Sequence, residues 1–184
     1  MFNRSNKIFI IGFVGRAGAG KSTAAQLLGE CVSDGEKFVT LNFAGELKNI
    51  MKQIGWNGQK DKKGRKFIQI VGEGARYYIR PTCWVDMLMS KVDGLQGPIV
   101  VAIDDVRHIN ECQAILERGG ILIYLERGEP LTIWEKVGRY YKYPSEREMR
   151  AASELCSYSF YNEPILALKP ALRRILERLK GTRF

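Results

Sequence analysis

The stretch "IFIIGFVGRAGAGKSTAAQLL", residues 8–28, decides the fold. It opens with an apolar run of seven residues, continues through a glycine-rich turn and ends in a helix-forming segment. Within it, residues 15–22, "GRAGAGKS", match the pattern G-x-x-x-x-G-K-[ST] at every fixed position. Because this pattern requires a strand before it and a helix after it, and both are indicated here, we predict a phosphate-binding loop.

The residue types in this loop suit the binding of phosphate groups. Glycines let the backbone wrap closely and point its N–H groups at phosphate oxygens, and the start of the following helix adds a favourable dipole. Lys21 is predicted to reach the β- and γ-phosphates, and Ser22 to bind Mg²⁺ through its hydroxyl group. The predicted nucleotide-binding residues of the loop are Gly15, Arg16, Ala17, Gly18, Ala19, Gly20, Lys21, Ser22 and Thr23.

The rest of the chain alternates between apolar runs typical of buried parallel strands and segments with helical periodicity. Strands are predicted at residues 8–14, 38–43, 99–103, 121–125 and 158–161. Helices are predicted at residues 21–32, 45–54, 65–78, 82–92, 109–118, 145–155 and 165–180. This alternation predicts an α/β fold with three layers, a five-stranded and mostly parallel sheet, and one domain that extends over residues 1–184.

The composition is that of a globular protein, with 184 residues of which 45% are hydrophobic and 27% charged. Its four cysteines form no C-x-x-C pair, which argues against a zinc or redox site. No apolar stretch approaches the roughly 20 residues that a bilayer span needs, so we expect a cytoplasmic protein without membrane contact.

The formal net charge of +9 is concentrated in three segments, residues 60–66, 127–150 and 173–183. Such an excess favours an acidic partner, either phosphate groups or nucleic acid, although solubility alone would also explain it. The densest run, "QKDKKGRKF" at residues 59–67, is typical of an exposed loop.

Two carboxylates follow the third predicted strand in "IVVAIDDVRHINE", residues 99–111. Ligands of open α/β sheets gather beyond the carboxyl ends of the strands, so we expect Asp104 and Asp105 near the phosphate-binding loop. A carboxylate there can hold Mg²⁺ or deprotonate an attacking group. The alternative is an aspartate that caps the next helix.

The segment "RGEPLTIWEKVGRYYKYPSEREMR", residues 127–150, follows the fourth predicted strand. In a phosphotransferase it would form a lid whose arginines neutralise charge on the transferred group while closure excludes water. The candidate arginines are Arg127, Arg139, Arg147 and Arg150. A solvated surface is the alternative for each of them.

Taken in order, these motifs resemble the P-loop nucleoside monophosphate kinases, and most closely the deoxynucleoside monophosphate kinases of bacteriophages. The resemblance covers nearly the whole chain. It rests on the phosphate-binding loop and on "FAGELK" (43–48), "IQIVGEGARYYIRPTCWVDML" (68–88), "DVRHINE" (105–111), "GGILIYLERGE" (119–129) and "YSFYNEPILALKPAL" (158–172). It implies an ATP- and Mg²⁺-dependent phosphotransferase with an acceptor-binding region at about 43–97 and a helical lid at about 127–150.

The resemblance also implies a role for individual residues. The catalytic candidates are Lys21, Asp104, Asp105, Arg107 and Arg127, the metal candidates are Ser22 and Asp104, and the substrate candidates are Lys48, Arg76, Arg80 and Trp84. Asn162 is implied to lie near the adenine end of the nucleotide. The pair of aspartates leaves open which one is the base and which one is associated with the metal.

Three acceptors are compatible with the sequence. The first is a free deoxynucleoside monophosphate, and the second is a hydroxymethylated pyrimidine base in phage DNA, which would account for the basic segments. The third is water, in a regulatory NTPase. The oligomeric state, monomer or homodimer, is open.

Overall fold

The computed structural model describes residues 7–59, 61–128, 144–161 and 164–181. Its strands are β1 (Ile8–Val14), β2 (Lys37–Leu41), β3 (Ile99–Val106), β4 (Ile121–Glu126) and β5 (Tyr158–Tyr161). Its helices are α1 (Lys21–Gly29), α2 (Phe43–Gln53), α3 (Lys62–Tyr78), α4 (Cys83–Asp93), α5 (Ile109–Glu117), α6 (Pro144–Glu154) and α7 (Leu168–Gly181), with a 3-10 turn at Ile165–Ala167. No helix among these residues is long and apolar enough to cross a membrane.

The five strands form one sheet in the order β2-β3-β1-β4-β5. Strand β1 pairs in parallel with both β3 and β4, and β4 pairs in parallel with β5. The first strand therefore lies at the centre of the sheet, and the turn that leaves its carboxyl end is the predicted phosphate-binding loop.

Helices cover both faces of the sheet. On one face, alternate residues of β1 (Phe9, Ile11 and Phe13) share a core cluster with apolar residues of α1 and α7. On the other face, a Cβ atom added to Gly12 would lie 2.8 Å from side-chain atoms of both Ile115 and Leu122, so α5 packs directly on the strand. The predicted three-layer α/β architecture is confirmed.

By its internal contacts the chain divides into two compact units, of which residues Leu41–Gly94 form the smaller one. This helical unit contains α2, α3 and α4 and is centred on Leu47, Met51, Cys83 and Trp84. The indole Nε1 of Trp84 donates a hydrogen bond to the carbonyl oxygen of Gly72 over 3.0 Å, and this bond joins α4 to α3. The larger unit holds the sheet and the remaining helices.

Most predicted elements are confirmed, β1 and β5 with the same boundaries. The basic run at residues 59–67 differs from the prediction, because α3 begins at Lys62 and the run forms its first turns rather than a loop. The reason is local: the Asp61 carboxylate accepts a hydrogen bond from Gly64 N over 2.7 Å and caps the helix. Strand β3 also runs to Val106, three residues beyond its predicted end at Ile103.

Part of the predicted lid and one predicted site residue fall outside the described residues. Of the segment 127–150, the structure describes residues 127–128 and the helical backbone from 144 onward. Arg139 and Asn162 lie outside the described ranges, and their predicted roles stay predictions.

Candidate active site

The turn after β1 has the backbone of a phosphate-binding loop. Gly15, Gly18 and Gly20 all have positive φ angles, of 148°, 85° and 91°, which favour glycine. A Cβ atom on Gly15 would lie 2.2 Å from the carbonyl oxygen of Leu125, at the end of β4. Glycine is therefore required there by close contact as well as by conformation.

The side chain of Lys21 points into this loop. Its Nζ donates hydrogen bonds to the carbonyl oxygens of Gly15, over 2.6 Å, and Arg16, over 2.7 Å, and the residue is only 7% exposed. The loop thus holds an ammonium group among its own backbone dipoles. Such a buried cation, fixed by short contacts, can pair with the negative charge of a polyphosphate.

The start of α1 is also suited to an anion. Among the described residues no side chain caps this helix at Gly20, and its first turn has no acidic residue. Since the first N–H groups of a helix have no partner within the helix, they are available to phosphate oxygens.

Ser22 meets one of the two predicted carboxylates. Its Oγ donates a hydrogen bond to Asp104 Oδ2 over 2.6 Å. A hydroxyl and a carboxylate oxygen at this spacing are oxygen ligands of the kind that Mg²⁺ prefers, and Mg²⁺ usually takes its other ligands from water and substrate phosphates. The residues present therefore fit ATP and Mg²⁺, with Gly15–Thr23 as the residues that would hold the phosphates.

Asp104 and Asp105 lie in a local irregularity of β3. Gly12 is paired with Ile103 but Val14 with Val106, so two residues of β3 face the single residue Phe13. An extra residue of this kind is a β-bulge, which bends a strand and redirects its side chains. The two aspartates are therefore inside the strand rather than beyond its end, and the contact with Ser22 distinguishes Asp104 from Asp105.

A third acidic residue borders the loop. Glu126 ends β4, and its carboxylate lies 3.8 Å from Nη1 of Arg16 and accepts a hydrogen bond from the Tyr124 hydroxyl over 3.3 Å. Burial, and then the negative charge of Glu126, raises the pKa of Tyr124 to about 12. Glu126 was not predicted as a site residue; its position at the carboxyl end of a strand beside the loop was the available signal. Arg127, the next residue and a catalytic candidate, is exposed.

The turn that carries Arg107 is held by two carboxylates. Glu111 Oε2 accepts hydrogen bonds from the backbone N of Arg107, over 2.8 Å, and of His108, over 3.1 Å. Glu148 Oε2, on α6, accepts one from Ile109 N over 2.9 Å. These contacts leave the Arg107 side chain exposed on a fixed turn. The sequence does not predict this contact of Glu148 with α5.

The predicted substrate residues all belong to the helical unit, where they have different surroundings. Lys48 is half-buried on α2, and Arg76 Nη1 lies 3.8 Å from Glu73 Oε1. Trp84 is buried in the core of the unit, and its position there explains the packing of α3 against α4. Its role toward a substrate stays a prediction.

Arg80 lines an open depression of about 390 Å³ in the same unit, together with Glu46, Asp86, Met87, Ser90 and Lys91. Arg80 Nε lies 2.7 Å from Asp86 Oδ2, and Lys91 Nζ lies 2.6 Å from Glu46 Oε1. Both basic groups are thus already paired with carboxylates of the unit.

No protein-family model and no curated protein matches the sequence. Among solved structures, shikimate kinase from Aquifex aeolicus is similar, with a TM-score of 0.51 and 14% identity over 95% of this chain and 98% of that one. Shikimate kinase from Acinetobacter baumannii in complex with shikimate has a TM-score of 0.48 at 18% identity, over 97% of both chains. A gluconokinase from Sinorhizobium meliloti has 0.46 at 14%, over 96% of this chain and 98% of that one. The α/β fold matches that of P-loop kinases such as shikimate kinase.

Proposed function

We propose that this protein is an ATP-dependent kinase that transfers the γ-phosphate to a deoxynucleotide acceptor, most favourably a deoxynucleoside monophosphate. The observation that carries the proposal is the position of Lys21, buried inside a glycine loop and one residue from a hydroxyl that contacts Asp104. The kinase fold of the structural neighbours supports a phosphotransferase. The acceptor comes from the sequence resemblance.

The proposed roles of the residues follow from the chemistry of phosphoryl transfer. The loose transition state needs positioning and charge neutralisation more than covalent help. Lys21 and the N–H groups of the loop would orient the donor, and MgATP supplies the transferable phosphate when it is bound. Asp104 would hold the Ser22 hydroxyl in place, and Arg107 and Arg127, both exposed, would neutralise charge on the transferred group.

Lys48, Arg76, Arg80 and Trp84 are the proposed acceptor-binding residues. Of these, Arg80 has its Nε in an ion pair with Asp86, 60% of its side chain is exposed, and it lines an open depression in the helical unit. An acceptor phosphate that binds this guanidinium would replace the Asp86 carboxylate as its anionic partner. Such an exchange costs little free energy, because arginine pairs with phosphate as readily as with carboxylate.

A base in DNA is the second candidate acceptor. It is favoured by four exposed basic residues in the first turns of α3: Lys62, Lys63, Arg65 and Lys66. A free monophosphate requires two or three cations, whereas a DNA backbone would use a longer basic surface.

One experiment separates these functions. The protein is incubated with γ-labelled ATP and, separately, each deoxynucleoside monophosphate, plain duplex DNA, DNA that contains hydroxymethyluracil, shikimate and gluconate. Label on a deoxynucleoside monophosphate supports the leading proposal, and label only on modified DNA supports the second. Label only on shikimate or gluconate, or phosphate release without an acceptor, contradicts both.

A further inference from the structure

Helix α3 has an outward face that combines basic and aromatic side chains. Lys63, Lys66, Ile70 and Tyr77 follow one another at spacings of three, four and seven residues, which places them on one face of a helix, and all four are exposed. Helix α3 packs through the other side, where Ile68, Val71 and Ala75 border the core of the helical unit. The outward face is therefore separate from the face that stabilises the fold.

The apolar part of this face is unusually accessible. On this face Tyr77 is 82% exposed and Ile70 59%, and the two residues that follow Tyr77 at the end of the helix, Tyr78 at 84% and Ile79 at 73%, are exposed as well. Most of the large apolar side chains that are exposed in the described ranges belong to this helical unit. Contiguous exposed apolar residues with a polar border typically mark a surface that binds something.

The basic part of the face indicates the charge of the partner. Lys62, Lys63 and Lys66 lie in the first turns of α3, where the helix dipole makes positive charge unfavourable. Two acidic residues lie close to this face: Asp61 is engaged as the helix cap through Gly64 N, and the carboxylate of Glu73, one turn beyond Ile70, lies 3.8 Å from Arg76 Nη1. An anionic partner would relieve this unfavourable arrangement, so the local charge favours a polyanion.

The distance between the lysines and the tyrosines of this face is that of an extended polymer and exceeds the size of a single phosphate group. From Lys63 to Tyr77 the helix rises about 21 Å, at about 1.5 Å per residue. The Tyr77 and Tyr78 rings contact each other edge to face, with centroids 4.7 Å apart, and present aromatic surface at the far end from the lysines. Surfaces that bind single-stranded nucleic acid combine cations along the backbone with aromatic rings on which bases stack, and they occupy about 4–16 nucleotides.

We infer that the outward face of α3 binds single-stranded nucleic acid, with the lysines on the phosphates and Tyr77 and Tyr78 against the bases. This surface is distinct from the phosphate-binding loop. It uses lysines that also favour a DNA acceptor, but its test measures binding without phosphoryl transfer, so its failure is distinguishable from failure of the proposed function. A duplex would bind less tightly, because its paired bases have no free face for the tyrosines.

The test measures binding of the full-length protein to a fluorescently labelled thymidine oligonucleotide of about 20 nucleotides by anisotropy. An abasic oligonucleotide of equal length carries the same phosphates without bases. The wild-type protein is expected to prefer the thymidine strand. The Tyr77→Ala/Tyr78→Ala variant should bind it about tenfold more weakly and bind the abasic strand unchanged.

A charge variant tests the other half of the face. In Lys63→Gln/Lys66→Gln, the slope of log affinity against log salt concentration should become shallower by about 1.4, because each phosphate contact on a single strand contributes about 0.7. The matched control is Arg173→Gln/Arg174→Gln, which removes two exposed charges from α7 and should change neither the base preference nor the slope much.

Three results would overturn the inference. The first is equal affinity of the wild type for the thymidine and abasic strands, and the second is unchanged binding by the tyrosine variant. The third is a dimer, measured by light scattering, that the tyrosine variant converts to a monomer, because the face would then be an interface between two copies. Since both rings are exposed, the variant should fold; if circular dichroism shows otherwise, Tyr77→Ser alone replaces it with the same expected direction.

Discussion

Ser22 Oγ donates a hydrogen bond to Asp104 Oδ2 over 2.6 Å, and this contact joins the end of the phosphate-binding loop to strand β3 across 82 residues of sequence. This contact distinguishes Asp104 from Asp105, whose roles as base and as metal-associated residue cannot be told apart from the sequence. The register of β3 against β1 leaves both aspartates opposite Phe13, and it is the Asp104 carboxylate that accepts the hydrogen bond of the Ser22 hydroxyl.

We therefore predict that Asp104→Asn lowers phosphoryl transfer by about 100-fold or more and raises the Mg²⁺ concentration that half-maximal activity requires. The amide keeps the size of the side chain but removes its charge. Transfer rates measured as a function of Mg²⁺ concentration check this. Asp105→Asn is the matched control, and a larger loss in that variant would reverse the assignment.

Gly15 and Gly18 provide a second pair of matched variants. A methyl group on Gly15 would lie 2.2 Å from the Leu125 carbonyl oxygen, whereas nothing lies within 4 Å of one on Gly18. Since both residues have positive φ, both alanine variants pay a backbone cost of about 1–2 kcal/mol, and Gly15→Ala adds a steric displacement of the loop.

We expect Gly15→Ala to lose ATP binding and Gly18→Ala to retain it with reduced affinity. Isothermal titration with ATP and Mg²⁺ measures the difference, and thermal unfolding confirms that both variants are folded. Equal affinities of the two variants for ATP would contradict this, because they would show that the close contact of the loop with β4 is not needed for nucleotide binding.

The elements that rest on local patterns were predictable from the sequence. Strand β1 is a continuous apolar run and the loop after it is a motif, so both were placed correctly. The predicted start of α3 is three residues late, although Asp61 is a residue type that favours the N-cap position and its carboxylate accepts the Gly64 N–H there.

The contacts that depend on the neighbouring strand or helix were not predictable. The bulge at Asp104 and Asp105 is defined by the register of β3 against β1, which only the paired strands determine. Glu148 and Ile109 are 39 residues apart and meet only because α6 packs beside α5. Patterns within a single segment contain no information about such pairs.

Glu148 is predicted to stabilise the fold through this contact. Its carboxylate accepts the Ile109 N–H at the start of α5, so Glu148→Ala should lower the free energy of unfolding by about 1 kcal/mol, as the loss of a helix cap does. Urea unfolding measures this. Glu154→Ala on the same helix is the control, because the Glu154 ion pair with Arg150 is exposed and should contribute less than about 0.5 kcal/mol. Similar losses in both variants would contradict a capping role.

The buried thiol of Cys112 predicts a dependence of stability on alkaline pH. Burial, and then the charges of Cys156, Glu111 and Glu148, raises its pKa from 9.0 to about 12. Above about pH 9 the unfolded chain loses this proton while the folded chain keeps it. The free energy of unfolding should therefore fall as the pH rises, by up to about 1.4 kcal/mol per pH unit from this thiol.

Denaturant unfolding between about pH 8 and pH 10 measures the slope. Cys112→Ala should make it shallower by the share of this thiol, whatever its effect on overall stability, and the remaining slope comes from Cys156, where burial likewise raises the pKa from 9.0 to about 12. Tyr124→Phe is the control, because the pKa of that hydroxyl is raised from 10.0 to about 12 and its contribution begins at a higher pH. A slope that Cys112→Ala leaves unchanged would contradict the prediction.

We propose that the loop at residues 15–23 positions ATP for phosphoryl transfer through the buried ammonium group of Lys21. The most direct test compares transfer of label from γ-labelled ATP to an acceptor by the wild-type protein and by Lys21→Ala, with circular dichroism to confirm that both are folded. We predict label on the acceptor with the wild type and at least about a 100-fold loss with Lys21→Ala, because the group that neutralises the transferred phosphate is gone. Equal transfer by a folded Lys21→Ala protein would contradict the claim.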